Sequence, residues 1–288
     1  MKVGFIGTGS MGTILIESFI QSGALQPEHI IATNRTTAKA QVLADRYPGI
    51  QIIQSIAKLA EVCDLVFICV KPMEFKHVIA EIAQTERSEL IVVSITSPVL
   101  IQHLEGLLSC KIAKIIPSIT NYVHSGASIC IYGSRIEKED QEKLEQLMAS
   151  ISRPIQVSEQ FTRMTSDLSS IGPAFIAFFM QRWIDAAVEK IGINQEEATR
   201  LASEMLLGTG KLLTEGNMTL EQLQQRVAVP GGITAEALRL LDNKLADVFN
   251  QLIDVTHAKY DEDVEKVSSL LSDLNLEADV EAINRQQC

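Results

Sequence analysis

Hydrophobic residues in the first half of the chain form short continuous runs, and these runs alternate with stretches of helical periodicity. The runs are rich in Val and Ile with little polar alternation, which is typical of strands buried on both faces. The predicted strands are 2–7, 29–33, 64–70, 90–95, 111–116, 127–132 and 153–158. Helical segments such as 11–22, 36–47 and 74–86 lie between them. This alternation predicts a doubly wound, mostly parallel sheet with right-handed crossovers.

Strand-like runs end near residue 160, and the rest of the chain has helical periodicity. The predicted helical segments are 161–190, 195–215, 219–227, 235–272 and 277–284. A chain of 288 residues is long enough for two hydrophobic cores. The sequence therefore predicts two domains, an α/β domain over 1–160 and an all-α domain over 161–288.

Composition and charge narrow the class of protein. The chain is 46% hydrophobic and 21% charged, as in ordinary globular proteins, and its net charge of −11 argues against a nucleic-acid partner. We find no apolar run near the ~20 residues that span a bilayer and no signal peptide, so we predict a cytoplasmic protein without a membrane partner. The five cysteines form no Cys-x-x-Cys pair and no cluster with histidine, which predicts reduced thiols and no metal site.

A glycine-rich motif follows the first predicted strand. Gly7, Gly9 and Gly12 form the pattern G-x-G-x-x-G, with Ser10 and Met11 before the last glycine. The motif joins a strand to a helix at the start of a βαβ unit, the context in which it binds dinucleotides. The first glycine makes the turn, the second lets the backbone approach a pyrophosphate, and the third lets the helix pack closely. We predict cofactor binding here; the alternative is a glycine-rich turn without a ligand.

The residues after the second strand indicate which dinucleotide binds. NAD sites usually carry an acidic residue there, but this chain has Asn34, Arg35 and Thr36, with Lys39 one helical turn further on. The planar fork of Arg35 suits a 2′-phosphate, and Asn34 and Thr36 can donate hydrogen bonds. These residues favour NADP(H), with NAD(H) less favoured; the alternative is a solvated loop arginine.

Another short motif, Val70-Lys71-Pro72, closes the buried strand 64–70. The carboxyl edge of an open parallel sheet is where ligands bind, so we predict that these three residues lie near the cofactor. An exposed loop lysine is an equally good interpretation of Lys71.

In the helical half, the segment Pro230-Gly231-Gly232 interrupts two helices and is followed closely by Thr234. Two glycines leave backbone N–H groups uncovered, and a helix start adds the positive end of its dipole, so this corner can hold a small anion. The alternative is a tight helix–helix turn in which Thr234 is the N-cap.

Taken in chain order, five motifs resemble those of pyrroline-5-carboxylate reductases over nearly the whole chain. The motifs are 7–12, 34–36, 70–72, 172–175 and 230–234. The last two are the specific ones, since the first is shared by many dehydrogenases. Within the family, the sequence is most similar to a divergent branch encoded among late competence genes.

This resemblance implies a fold, an activity and a site. It implies a Rossmann domain, a helical dimerisation domain that forms a homodimer or larger homo-oligomer, and NADPH-dependent reduction of a cyclic imine in proline biosynthesis. It further implies that Gly231 and Gly232 bind the carboxylate of the substrate. Thr234 would be the catalytic residue that contacts the imine nitrogen.

The chain departs from the family pattern mainly at implied substrate positions. The family has hydroxyl-bearing residues where this chain has Val229 and Ile233. Ser169 is retained, but Ile171 and Phe175 stand where the family has a serine and a tyrosine. A hydrogen bond to a charged ligand contributes about 1.5–3 kcal/mol, so these changes predict weaker binding of pyrroline-5-carboxylate.

Two classes of function remain open from the sequence. One is an NADPH-dependent imine reductase acting on pyrroline-5-carboxylate or a more apolar cyclic imino acid. The other is a catalytically weak or inactive NADP-binding regulatory homologue linked to competence. A β-hydroxyacid dehydrogenase also joins such a domain to helices, but it leaves the motif 230–234 unexplained.

Overall fold

The computed structural model describes the backbone of residues 1–286 and the side chains of residues 1–274. Within that part of the chain there are eight strands and twelve α-helices. The strands are β1 (Val3–Ile6), β2 (Ile30–Thr33), β3 (Gln51–Ile52), β4 (Leu65–Ile68), β5 (Ile91–Ser94), β6 (Lys111–Ile116), β7 (Ala127–Tyr132) and β8 (Arg153–Gln156). The helices of the first half are α1 (Ser10–Gln21), α2 (Thr37–Arg46), α3 (Ile56–Val62), α4 (Phe75–Ala83), α5 (Ile101–Leu107) and α6 (Lys138–Ala149). Those of the second half are α7 (Thr162–Leu168), α8 (Gly172–Ile191), α9 (Gln195–Thr214), α10 (Leu220–Val227), α11 (Ile233–Leu245) and α12 (Val248–Gln286). Short 3₁₀ helices cover Pro27–His29, Pro72–Glu74, Ile119–Val123 and Glu159–Phe161.

All eight strands form one sheet in the order β3-β2-β1-β4-β5-β6-β7-β8. Neighbouring strands are parallel except β6 and β7, which pair antiparallel. The prediction of a doubly wound, mostly parallel sheet followed by helices is therefore confirmed. The chain runs from β1 outwards in one direction and then, from β4 on, in the other. This reversal puts a topological switch point at the carboxyl end of β1.

The core lies on both faces of the sheet because successive strand residues point to opposite sides. One face buries Phe5 and Phe67, whose rings stack with centroids 5.2 Å apart, under α1 and α6. The other face buries Val66 and Ile68 under α3, α4 and α5. Strands buried on both sides need apolar residues at every position, and this explains their continuous hydrophobic runs.

The structure differs from the predicted elements in four places. The backbone of α12 continues without a break from residue 272 into the predicted helix 277–284. The strand β3 is only two residues long, too short for a hydrophobic pattern. The predicted helix 161–190 is broken at Ser169–Ile171, where three consecutive N–H groups donate to the Ser166 carbonyl. The predicted helix 235–272 is also broken, between the end of α11 at Leu245 and the start of α12 at Val248.

By backbone contacts the chain divides into two compact units. One comprises Met1–Gly172 together with the residues from Thr256 onward, and the other is Pro173–Val255. The long helix α12 contributes to both, and its Val267 and Leu271 are buried in the core of the first unit. The second unit buries little by itself: among its residues only Ile184 and Ala198 are buried.

Candidate cofactor and substrate sites

The glycine loop, residues 7–12, joins β1 to the first turn of α1. It has room for nothing larger than glycine at two of its positions. Gly7 adopts a φ of +101°, and a side chain there would lie 2.7 Å from the carbonyl oxygen of Cys69. A Cβ on the buried Gly12 would overlap the Gly7 carbonyl oxygen, so the third glycine is needed for α1 to pack against the loop. Both close approaches agree with the roles predicted for these glycines.

Gly9 has different surroundings. It is exposed, it is the N-cap of α1 without any side-chain cap, and no atom lies within 4 Å of the position of a Cβ. The first N–H groups of α1 have no intrahelical partners, and the helix dipole makes this end positive. The exposed Ser10 and half-buried Met11 follow. An anion such as a pyrophosphate can therefore approach the backbone at Gly9.

The loop after β2 is fixed to the glycine loop by Asn34. Its Oδ1 accepts a hydrogen bond from the Thr8 N–H (3.2 Å), and its Nδ2 donates to the Thr36 carbonyl (3.0 Å). The Asn34 side chain therefore holds the two loops together, whereas we predicted that it would donate to a ligand. Thr36 is the exposed N-cap of α2 and makes no side-chain cap hydrogen bond.

Arg35 forms an ion pair that the sequence did not predict. Its Nη1 lies 2.7 Å from Oε1 of Glu74, at the end of the 3₁₀ helix Pro72–Glu74. Arg35 is 87% exposed and Glu74 is 38% exposed. Because β2 and β4 flank β1, this pair lies across the same edge of the sheet as the glycine loop. No local pattern marks Glu74, which stands 39 residues away along the chain.

The motif Val70-Lys71-Pro72 lies at the carboxyl edge, as predicted from its place after β4. Val70 and Pro72 are half-buried and Lys71 is exposed, at the N-cap of the 3₁₀ helix. Cys69, which precedes them, contacts the glycine loop, and burial raises the pKa of its thiol. A neutral thiol adds no negative charge beside the place where a pyrophosphate would bind.

An ion pair between a buried lysine and a half-buried glutamate, also missed from the sequence, lies further along the same edge. The Lys114 side chain is fully buried on β6, and its Nζ donates to Glu159 Oε1 (2.6 Å) and to the Ser97 carbonyl (3.1 Å). Glu159 also accepts from the Ile101 N–H at 2.9 Å. Burial lowers the pKa of Lys114, and it lowers the pKa of the nearby His103. The sequence feature that could have revealed this pair is the presence of two lysines within the otherwise apolar strand 111–116.

Ser169 uses its hydroxyl within the protein. The hydroxyl donates to the Thr165 carbonyl at 2.6 Å, and the Ser169 carbonyl accepts from the Ser118 hydroxyl at 3.3 Å. The residue lies in the break between α7 and α8. A role in substrate binding would require the hydroxyl to exchange its partner, so this part of the predicted site stays a prediction.

In the second unit, the Pro-Gly-Gly segment forms the turn between α10 and α11. Gly231 has a φ of +74°, a conformation that favours glycine, and the Gly232 N–H donates to the Val229 carbonyl at 2.9 Å. Gly232 is the N-cap of α11 and brings no capping side chain. Thr234 is half-buried at the second position of the helix, so the interpretation of Thr234 as the N-cap is wrong.

The start of α11 keeps the features of an anion site. Its first N–H groups have no capping side chain, and the exposed Val229 and Ile233 flank the turn, Ile233 being 92% exposed. A Cβ on Gly232 would lie 2.7 Å from Cγ2 of Val229, so Val229 already occupies the space beside it. The corner can therefore bind a carboxylate through backbone groups, between two apolar side chains.

Two other kinds of site were sought in the described residues. We find no group of three or more His, Cys, Asp or Glu side chains there that could hold a metal ion. Within the same residues, no helix has both the length and the apolar character needed to cross a membrane.

A cavity lined by Arg87 and Cys110 lies at the amino ends of β5 and β6, at the opposite edge from the glycine loop.

A glycine loop at the switch point of a doubly wound sheet defines a dinucleotide-binding domain of the Rossmann class. The matches to known protein families agree with this assignment of the fold. Residues 2–98 match the model described as "NADP oxidoreductase coenzyme F420-dependent", and residues 159–263 match "Pyrroline-5-carboxylate reductase dimerisation". The prediction of NADP(H) as the cofactor is confirmed at the level of the family.

Individual relatives extend this agreement over most of the chain. "ComE operon protein 4" of Bacillus subtilis (strain 168) is 42% identical over 93% of this chain and 98% of its own. "Pyrroline-5-carboxylate reductase 2" of Bos taurus is 32% identical over 84% of this chain and 77% of its own. The crystal structure of Plasmodium falciparum pyrroline carboxylate reductase with NADP bound matches with a TM-score of 0.78 at 22% identity, covering 94% of this chain and 98% of its own. The chain belongs to the pyrroline-5-carboxylate reductase family, as its motifs predicted.

Proposed function

We propose that the protein is an NADPH-dependent reductase of a cyclic imine that carries a carboxylate, either pyrroline-5-carboxylate or a more apolar relative. The observation that carries the proposal is the glycine loop. Gly7 and Gly12 exclude side chains, while Gly9 leaves the start of α1 open to an anion. The family membership supports the reaction class. We propose that residues 1–160 bind the cofactor and that residues 161–288 bind the substrate and form the dimer.

In the cofactor site, each residue has a proposed task. NADPH, when bound, supplies the hydride. The backbone of Gly9, Ser10 and Met11 at the start of α1 binds the pyrophosphate. Arg35 binds the 2′-phosphate through its free N–H groups. The loop 70–72 lies along the cofactor at the carboxyl edge of β4.

In the substrate site, the proposed chemistry needs no ionised acid or base from the protein. The start of α11 with Gly231 and Gly232 binds the carboxylate, and the Thr234 hydroxyl contacts the imine nitrogen. The imine arrives protonated from solvent, its carbon accepts the hydride, and the nitrogen keeps its proton as an amine. Orientation and electrostatic stabilisation then provide most of the rate acceleration.

The apolar turn supports a changed substrate preference. Val229 and Ile233 are exposed beside the anion corner and offer no hydroxyl. The loss of two hydrogen bonds to a charged ligand, at about 1.5–3 kcal/mol each, corresponds to roughly 10²–10⁴-fold weaker binding of pyrroline-5-carboxylate. A substrate with an apolar group next to its carboxylate would recover part of this loss by contact with the two side chains.

A regulatory NADP-binding function is the second candidate. The same loss of hydroxyls favours it, and the 42% identical relative is a ComE operon protein, which is consistent with a link to competence. In this case the cofactor site would be kept for binding rather than turnover.

A homodimer or larger homo-oligomer is part of the proposal. The second unit exposes many large apolar side chains and matches a dimerisation family. On α8 these include Ile176, Phe178, Phe179 and Trp183.

The decisive experiment measures NADPH oxidation by the purified protein against a panel of cyclic imino acids, from pyrroline-5-carboxylate to analogues with alkyl or aryl substituents. We expect turnover to increase with the apolar surface of the substrate. NADPH binding without turnover of any imine would favour the regulatory function. Absence of NADPH binding would contradict both.

A further inference from the structure

The ion pair between Arg35 and Glu74 joins the two loops on either side of the glycine loop. Arg35 follows β2, and Glu74 ends the 3₁₀ helix after β4, with 2.7 Å between Nη1 and Oε1. Both strands are neighbours of β1. The pair therefore spans the carboxyl end of β1, next to the proposed position of the adenosine half of the cofactor.

The structure holds Glu74 in place more firmly than Arg35. The backbone of Glu74 is fixed, because its N–H donates to the Lys71 carbonyl at 2.9 Å and because α4 begins directly after it. Arg35 reaches across from a loop, and its guanidinium is mostly exposed. An arginine has five N–H donors, and Glu74 engages Nη1. An anion that binds the remaining edge of Arg35 must therefore share the guanidinium with the Glu74 carboxylate.

Glu74 affects the two forms of the cofactor differently. A phosphate monoester carries a charge of about −1.5 to −2 at pH 7, so a 2′-phosphate on Arg35 meets the negative charge of the Glu74 carboxylate on the same guanidinium. NADH has a neutral hydroxyl at this position. A carboxylate can accept a hydrogen bond from that hydroxyl, as acidic residues do in NAD sites.

We propose that Glu74 is a specificity-determining residue for the cofactor: its carboxylate competes with the 2′-phosphate for Arg35 and lowers the preference for NADPH over NADH. This inference rests on the proposed cofactor site. Glu74 also supplies the acidic residue that is absent after β2, from the 3₁₀ helix that follows β4.

The test measures binding rather than turnover. Isothermal titration calorimetry with 2′,5′-ADP and ADP compares the adenosine halves with and without the 2′-phosphate, and NADPH and NADH are titrated in parallel. The proteins are the wild type, Glu74→Gln, Arg35→Ala and the double variant. Glu61→Gln is the matched control, because Glu61 is an exposed glutamate at the end of α3, at the other edge of the sheet.

For Glu74→Gln we expect about three- to tenfold tighter binding of 2′,5′-ADP and NADPH, in the range of one exposed ion pair and a nearby repulsion. ADP and NADH should change by less than about twofold, because a single hydrogen bond to a neutral hydroxyl contributes little net free energy. Arg35→Ala should weaken binding of the phosphorylated ligands and reduce the gain from Glu74→Gln. Glu61→Gln should leave all four ligands unchanged.

Three results would overturn the proposal. Equal changes for both kinds of ligand would mean that Glu74 does not sense the 2′-phosphate. Weaker NADPH binding would mean that Glu74 orients Arg35 rather than competing for it. An equal gain in Glu61→Gln would assign the effect to net charge. If the wild type binds neither NADPH nor NADH, the proposed cofactor site itself fails; if NADPH binds but no imine is reduced, only the proposed enzyme activity fails.

Discussion

Gly9 and Gly12 belong to one loop but have opposite surroundings. A side chain at Gly12 would overlap the Gly7 carbonyl oxygen, whereas the space around Gly9 is open. In the absence of a ligand, only Gly12 is therefore required for packing. The open space at Gly9 has a role only when a ligand such as a pyrophosphate occupies it.

This contrast makes a pair of predictions at the residue scale. Gly9→Ala should leave the melting temperature nearly unchanged but weaken NADPH binding more than about tenfold, because the methyl group occupies the approach of the pyrophosphate. Gly12→Ala should lower the melting temperature, since α1 must shift away from the loop. Calorimetry and thermal denaturation of both variants check this. Unchanged NADPH binding in Gly9→Ala would contradict the assignment of the loop.

The ion pair of Lys114 and Glu159 gives a pH-dependent prediction. Because burial lowers the pKa of Lys114, the unfolded state binds more protons between that lowered pKa and about 10.5, and the contribution of Lys114 to stability increases with pH. Glu159→Gln removes the countercharge and should cost about 1–3 kcal/mol of unfolding free energy at pH 7. The cost should be smaller at pH 10 than at pH 7, because the lowered pKa leaves a larger fraction of the Lys114 amine neutral at the higher pH, and a neutral amine needs no countercharge.

Urea denaturation at pH 7 and pH 10 measures this difference, and the range avoids titration of His103, whose pKa is lowered by burial. Glu142→Gln is the control, because its ion pair with Lys138 is exposed and should contribute less than about 1 kcal/mol at either pH. The same cost of Glu159→Gln at both pH values would contradict the prediction, because it would show that the charge of Lys114 does not change between pH 7 and pH 10.

At the scale of elements, the turn between α10 and α11 is where we propose that the substrate carboxylate binds. Gly231 needs its positive φ of +74°, while Gly232 has a φ of −84° that any residue can adopt. A larger residue at Gly232 is excluded instead by Val229, whose Cγ2 would lie 2.7 Å from the new Cβ. The turn is thus fixed by Gly231, and its two apolar neighbours are free to vary.

The prediction for this turn is a gain of function. Val229→Ser combined with Ile233→Thr should raise the activity on pyrroline-5-carboxylate tenfold or more, since each hydrogen bond to a charged ligand contributes about 1.5–3 kcal/mol. Both side chains are exposed, so no core packing is lost. Thr234→Ala should lower turnover without changing NADPH affinity. Steady-state kinetics on the imine and NADPH titrations check these outcomes.

Leu240→Thr is a suitable control because it replaces another exposed apolar residue of α11, away from the turn. It should change neither activity nor cofactor affinity. If the double variant gains nothing and Thr234→Ala has no effect, the segment 229–234 is a structural turn only.

At the scale of the whole molecule, the second unit has few buried residues for its size. Ile184 and Ala198 are its buried residues, while Trp183 is 68% exposed and Phe178 has a neighbouring guanidinium, that of Arg182, 5.3 Å from its ring centre. Exposed aromatic residues in such number mark an interaction surface. The match to a family model described as a dimerisation domain supports the proposal that a second copy covers it.

We therefore expect light scattering at micromolar concentration to give the mass of a dimer or larger oligomer. Trp183→Glu should shift the protein towards the monomer and lower its melting temperature, because the new charge would have to be buried in the interface. Gln195→Glu introduces the same charge at an exposed polar position and should leave the mass unchanged. A stable wild-type monomer at this concentration would contradict the assembly.

Local sequence patterns predicted most of the fold and the outline of the proposed cofactor site. The strands are buried on both faces and must be continuously apolar, and the glycine loop requires glycine at fixed spacing, so both are visible within a few residues. The short β3, the break at Ser169–Ile171 and the start of α11 at Ile233 depend on a few local hydrogen bonds. Hydrophobic periodicity does not detect such details.

Only the tertiary structure decided which side chains meet. Glu74 pairs with Arg35 across 39 residues, and Glu159 with Lys114 across 45. Each pair forms because the order and register of the strands bring segments that are distant in sequence to the same edge of the sheet, and this arrangement leaves no mark in either local segment. The sequence by itself determined the class of cofactor and of fold, since glycine geometry and hydrophobic burial act over short stretches. The charges that tune the cofactor site were decided by the folded chain, because electrostatic interactions depend on distance in space.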